Sequence, residues 1–381
     1  MKKIILYAFF LTIAAACKEK YVLPGGSPST GYLVIDGVIN SGQGPTTLRL
    51  TRTLGLVDSV AFRFEEGANV RVEGEDNSTH LLMQQSPGVY YNPQLTLNDD
   101  VKYRLHVNTA DGREYVSDYS PVLNTPPIDS ISWERPEDNV LLFINTHDPE
   151  NNTWYYRWEY EETWQFHSAF RSHLEYLYDG RGQPYNVGPR DPAETDAMFT
   201  CWSGETSANL HIGSSARLMR DTIHLPLLLI PQGSWKIGVL YSILVRQYAV
   251  SRAGYEFLQR MKKNTEQVGS LFDAQPSELR GNVRCVTDPK EPVIGFVDIA
   301  DAQEKRLFIK RSEVSPWNYR QACIEENALN QRDTLAYYAS YIPTSVAEYN
   351  SRGDTVRIFV TLPDCADCRL RGTPIKPSFW P

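Results

Sequence analysis

From Tyr32 to about residue 120, apolar and polar residues alternate in short runs. Leu48 and Leu50 straddle Arg49, Val70 and Val72 straddle Arg71, and Tyr103, Leu105 and Val107 alternate with Arg104 and His106. A period of two sends successive side chains to opposite faces of a strand, so each run has one face for a core and one for water. Turn-forming residues fall between the runs, at Glu75-Asp76-Asn77-Ser78 and at Asn108 to Arg113, where Asp111-Gly112 is a strong hairpin cue. No helical period interrupts them. Short strands at this spacing predict a β-sandwich over residues 32–120.

The stretch PVLNTPP, residues 121–127, reads as a stiff connector to a second β-rich body over 128–381. Ile128 to Trp133, Val140 to Asn145 and Trp154 to Trp164 supply its first strands, with a turn at Asp148-Pro149-Glu150-Asn151-Asn152. That order resembles a fibronectin type III sandwich. Strand patterns return at Trp235 to Val250, Asn282 to Val286, Pro292 to Ile299 and Arg306 to Lys310, and Thr355 to Leu362 is expected to close the sheet. One helix is expected near 251–265, with Ser251 as its cap and Tyr255, Leu258 and Met261 on one face. The expected class is therefore mainly β: tandem immunoglobulin- or fibronectin-like sandwiches, the second carrying one α-helix and a long aromatic-rich loop.

The N-terminus has a separate logic. Lys2 and Lys3 precede an apolar run from Ile4 to Ile13 and the triplet Ala14-Ala15-Ala16. This is the build of a secretory signal, and the run is short of the roughly 20 residues a spanning helix needs. Residues 1–16 are expected to be removed. Cys17 then stands where the lipobox of bacterial lipoproteins puts its acylated cysteine, and 17–31, rich in Gly, Pro and Ser, would be a flexible tether. Lys18-Glu19-Lys20 resembles the short charged signal that sends Bacteroidota lipoproteins to the outer leaflet. The expected location is the outer membrane, lipid-anchored, at the cell surface. A plain secreted chain is the rival reading.

A net charge of −8 argues against nucleic acid as a partner. Beyond Cys17 there are five cysteines, Cys201, Cys285, Cys323, Cys365 and Cys368. In an exported chain they read first as disulfide partners, with one left over. Cys365 and Cys368 form a CxxC, so a four-sulfur zinc site with Cys285 and Cys323 is the alternative. No HExxH, GxSxG, P-loop or dinucleotide fingerprint is present, and no cofactor, metal or catalytic residue is assigned.

The densest feature is TWYYRWEYEETWQFHSAFRSHLEYLYDGRGQPYN, residues 153–186. Its aromatic rings suit stacking on a ligand, and Trp158, Trp164, His167, His173, Tyr176, Tyr178 and Tyr185 are the candidate contacts. The rival reading makes Trp154 to Trp164 a strand with its even positions in the core. His167 to Gly188 then reads as a long loop, where function tends to sit. His167, His173 and Glu175 match no metal-ligand spacing. Asp-Ser or Asp-Thr followed by an aliphatic residue marks Ser59, Ser130, Thr222, Thr334 and Thr355, which resembles the O-glycosylation sequon of exported Bacteroidota proteins. Such triplets also simply begin strands.

Taken together, YLVIDGVI, TWYYRWEYEETW, Cys201-Trp202, the block YSILVRQYAVSRAGYEFLQRMKKNTEQVGSLFDAQPSELRGNV, EPVIGFVDI and the ending CADCRLRGTPIKPSFWP resemble the Bacteroidota lipoproteins called domain of unknown function family 4249. The resemblance implies an outer-membrane lipoprotein with an immunoglobulin-like or carboxypeptidase-regulatory-like front domain, from genes that often neighbour TonB-dependent receptors. It carries no established activity. The expected function is a non-catalytic accessory or ligand-capture partner of a TonB-dependent transporter, its nutrient unknown. A structural or adhesive surface protein is the alternative, and a polymer hydrolase a third.

Overall fold

The computed structural model describes residues 31–54, 62–207, 209–266 and 279–381. The signal, Cys17, the tether up to residue 30 and Ser59 lie outside the described residues. The fold is mainly β, arranged in several sheets.

In the first body, hydrogen-bonded order runs Glu114–Ser117, Tyr103–Asn108, Asn69–Gly74, Thr79–Ser86, Val89–Asn92, Thr46–Thr53, Leu33–Asp36. The alternation seen in the sequence places Leu48, Leu50, Val70, Val72, Leu105 and Val107 in one core. Gly112, with φ of 86°, makes the expected hairpin turn. One residue breaks the pattern: Arg52 is buried at an inward position. Its guanidinium is paired with Glu65 and Glu291 and takes up Tyr115 Oη at 3.2 Å, so the charge is enclosed with partners.

Both ends of this sheet are closed by one returning segment. Val283–Cys285 pairs antiparallel with Glu114–Ser117, and Val293–Ile294 pairs parallel with Leu33–Asp36. This corrects the expectation that 282–299 belongs to the second body. Val283, Cys285, Val293, Val297 and Ile299 bury their side chains in the first core, and the pairing satisfies backbone groups that open edges would expose. The 121–127 connector is tied down as well: Val122–Leu123 and Ile39–Asn40 flank Ile299–Ala300 in a small parallel sheet.

The second body is two facing sheets. Ile128–Glu134, Val140–Thr146 and Ile223–Ile230 form one. Thr200–Thr206, Tyr155–His167, Leu240–Ala249 and Gln303–Lys310 form the other, with His211–Ser214 on the remaining length of the Tyr155–His167 strand. Val140, Leu142 and Ile144 meet Trp158, Trp164, Phe166, Tyr241 and Ile243 between them. The expected strand at 235–250 begins as a single 3-10 turn, Trp235–Ile237, because Ser234 Oγ accepts from Lys236 N and curls the chain before Leu240. The helix is Arg252–Glu266, and Ser251 Oγ accepts from Gly254 N at 3.0 Å as its cap. Tyr255 packs its ring 5.0 Å from that of Tyr155.

A third packed unit was not foreseen. Thr355–Thr361 does not close the sandwich; it is the centre of a separate sheet between Glu326–Leu329 and Ile342–Tyr349. The expected long loop is a hairpin, Leu174–Tyr178 with Pro184–Pro189, followed by the helix Pro192–Phe199. Asp179 Oδ1 accepts from Arg181 N at 2.9 Å and Gln183 N at 3.0 Å, and Gly182 has φ of 74°, which turns the chain where Gly and Pro content suggested irregular backbone. Further helices, Arg332–Tyr337 and Pro363–Ala366, add to the one expected. Tyr176, Ala328, Leu335, Ile358 and Val360 form this unit's own core.

Two disulfides hold it: one ties it to Thr200–Thr206 of the second body and the other closes the chain on either side of its sheet. Cys201 bonds Cys368 and Cys323 bonds Cys365, so the members of the CxxC reach separate partners. That removes the zinc alternative, since the thiolates are consumed. Cys285 is the odd one: it is buried in the first core, away from the other four, with Thr287 Oγ1 at 3.3 Å.

Candidate functional site

The structure separates the candidate contacts. Trp158 and Trp164 are 1% and 2% exposed, and the even positions of Tyr155–His167 all face the core. Trp158 Nε1 donates to Gln247 Oε1 at 2.7 Å. Neither ring reaches a surface, which corrects their expected role as contacts: the even positions of this strand face the opposing sheet across the core. His167 is half-buried and stacked 4.4 Å from Phe199, and burial with the nearby Arg171 charge holds its pKa below the ordinary imidazole value. His173 is exposed, and its backbone N–H donates to Thr344 O at 2.8 Å. No group of three His, Cys, Asp or Glu that could hold a metal occurs among the described residues.

The tyrosines come together on the third unit. Tyr176 is buried, donating its hydroxyl to Tyr338 O at 3.0 Å. Tyr178, edge-on to it at 6.3 Å, is 56% exposed, and Tyr185 is 44% exposed. Tyr337, on the Arg332–Tyr337 helix, is 78% exposed and packed edge-on against Tyr338, which in turn meets Tyr341. Arg332 pairs with Asp179 at 2.8 Å and ties the Arg332–Tyr337 helix to the hairpin turn. Turn hydrogen bonds and the Arg332 charge keep the Asp179 carboxyl below the usual range. The sequence reading missed Tyr337, Tyr338 and Tyr341, although the cluster YYASY carried the signal.

A cavity of about 530 Å³ is lined by Trp235, Tyr319, Arg320, Gln321, Cys323 and Arg371. The Arg371 guanidinium lies 5.3 Å from the Phe166 ring and 5.8 Å from that of Trp235. Its Nε and Nη2 are buried with no hydrogen-bond partner among the described residues. Gln321 donates Nε2 to His167 O at 2.7 Å and leaves Oε1 unpartnered.

Of the glycosylation candidates, Ser130 and Thr222 are exposed, while Thr334 and Thr355 are half-buried. Thr334 lies on the Arg332–Tyr337 helix, so that triplet does not begin a strand.

A multi-sheet β protein with a disulfide-clamped aromatic unit and no assembled metal cluster among its described residues is the class these features define. The chain belongs to the family described as Domain of unknown function (DUF4249), which matches residues 18–306. The ending CADCRLRGTPIKPSFWP lies beyond that span. No curated protein matches the sequence. Among solved structures, it is similar to a two-domain fibronectin type III segment of chicken tenascin, at 9% identity over 74% of this chain and 98% of that one, with a TM-score of 0.17. It is also similar to a protein described as carbohydrate-binding from Bacteroides uniformis, at 10% identity over 58% of this chain and 90% of that one, with a TM-score of 0.15. Superposition that loose leaves the fold to be read from this chain's own strands.

Proposed function

We propose that this chain is a non-catalytic binding protein, held at the outer surface of an outer membrane through acylated Cys17, that captures a nutrient and passes it to a TonB-dependent transporter. The observation that carries the reading is the tyrosine face. Tyr178, Tyr185 and Tyr337 are exposed on a unit fixed by two disulfides, whereas the tether enters at the first body. Tyrosine offers large contact area at small entropic cost and is enriched in interfaces for that reason.

The test is a mild-detergent pull-down of the tagged, acylated protein from native outer membranes, with Cys17→Ser and Tyr178→Ser/Tyr337→Ser as comparisons. A transporter barrel recovered at near-equal stoichiometry by the wild type, and at a tenth or less by the tyrosine variant, is expected. Recovery of the membrane-bound protein alone would instead support the adhesive or spacer reading.

A further inference from the structure

We infer that the outer face of the first sheet rests on the lipid headgroups of the membrane that holds the chain. The inference rests on the anchored reading above and gives the anchor a contact surface. Along Thr46–Thr53 the even positions are buried, so Thr47, Arg49, Thr51 and Thr53 point outward. Residues directly opposite in a ladder share a face, and Thr53 stands opposite Phe62, Thr51 opposite Phe64 and Thr47 opposite Tyr91. Tyr91 in turn stands opposite Met83, and Leu81 lies two positions along the same strand. Phe62, Phe64, Leu81 and Met83 therefore point outward together, 42–70% exposed, while Leu48, Leu50 and Leu82 fill the core behind them. An apolar patch of that kind on a surface marks a docking site.

What covers the face follows from where the chain enters it. Tyr32 N donates to Thr53 Oγ1 and Tyr32 O accepts from Thr53 N, both at 3.0 Å, so Tyr32, Thr53 and Phe62 make one outward row across neighbouring strands. Residues 17–30 join that row to Cys17. A Gly-, Pro- and Ser-rich chain of this length has a mean reach of about 20 Å, so an acylated Cys17 keeps the bilayer within reach of Phe62. Asp36, at the other end of the Leu33–Asp36 strand, pairs with Arg157 of the second body at 3.1 Å, which leaves Tyr32 at the end remote from that contact. The side chains suit a headgroup layer: aromatic rings and thioethers enter its apolar boundary, and the exposed Arg49 offers its guanidinium to lipid phosphates. A membrane is the one occupant that the anchor itself brings to this face.

The experiment couples the chain from Cys17 onward to a maleimide lipid in vesicles of phosphatidylethanolamine and phosphatidylglycerol, which anchors it without native acylation. Cys17 is the thiol that reacts, since Cys285 is buried and the other four cysteines are in disulfides. Met83 reports on the face, and Met219, exposed between His211–Ser214 and Ile223–Ile230 of the second body, is the internal control. Chloramine T oxidises exposed thioethers to sulfoxides, which mass spectrometry counts residue by residue. Met83 should be oxidised at least fivefold more slowly in the anchored chain than in the free chain, with Met219 unchanged. Phe62→Ser with Phe64→Ser should bring Met83 back to within twofold of its free rate, at a thermal midpoint within a few degrees of wild type. If that variant fails to fold, Leu81→Glu, which sets a negative charge against anionic lipid, should do the same. Equal Met83 rates in the anchored and free chains, equal slowing of both methionines, or Met83 still slow in the folded variants would overturn the inference. Met83 slowed in the free chain as its concentration rises would overturn it too, and give the face to a second copy. Native protein with an unmodified Cys17 would overturn the anchored reading, whereas Met83 protected on vesicles would still assign the face to lipid.

Discussion

Trp164 sits edge-on to Trp235 at 5.1 Å with the Lys236 ammonium 5.0 Å from its ring centre. Removing such a buried ring leaves a cavity, so Trp164→Ala should lower unfolding free energy by about 3–5 kcal/mol in urea titrations. Partner binding by the folded fraction should be unchanged; a weakened partner with normal stability would return Trp164 to the surface. Asp298 makes a pH-dependent case. Burial pushes its carboxyl up to about 6, against hydrogen bonds from Ser251 and the Arg157 charge. Below its ordinary value near 3.8 it is protonated in both states, and above 6 it is ionised in both. Between these limits only the native chain holds the proton, so stability falls as pH rises through the window, by about 3 kcal/mol in all. The stability of wild type relative to Asp298→Asn should fall as pH rises from about 4 to about 6.5, and a difference that stays flat would reject the assignment. Gly254 belongs to the same site. A Cβ there would run into Asp298 Oδ2, so no larger residue fits while that carboxylate accepts from Ser251 N.

At the scale of elements, the sequence carried the strands and not their partners. The period of two predicted the Tyr155–His167 strand and its buried even positions, because burial on one face leaves a local trace. The hairpin Leu174–Tyr178 with Pro184–Pro189 left a weaker trace: its buried face rests on a sheet assembled from residues after 325, which no local window contains. Cysteine pairing is hidden for the same reason, since Cys201 and Cys368 are 167 positions apart. The tyrosine cluster draws on both stretches, and the Arg371 cavity on residues 233–235, 319–323, 364 and 371, so neither could be read as a site beforehand. The clamps are testable. In the chain-entropy account a loop this long stabilises by roughly 5 kcal/mol. Cys201→Ser with Cys368→Ser should therefore let trypsin cut within residues 323–381 before it cuts the first body. Equal protection of both regions would mean that packing alone holds the third unit.

For the molecule as a whole, the segment from Val283 to Ala300 unites bodies that otherwise have separate cores. Glu291 on this segment takes the guanidinium groups of Arg52 and Arg113 and the Tyr115 hydroxyl. A fragment ending at residue 127 lacks all of it, leaves two bare sheet edges and strips Arg52 of one of its two carboxylate partners. It should aggregate or stay unfolded by light scattering and circular dichroism, whereas a stable monomer would show that the returning strands are dispensable. The order of synthesis gives this arrangement a further meaning. A ribosome makes Ser117 long before Val283, so the body nearest the N-terminus cannot finish until most of its neighbour has been translated. The first part of the chain to emerge is among the last to be sealed, and whatever escorts the nascent chain must shield those edges throughout that interval.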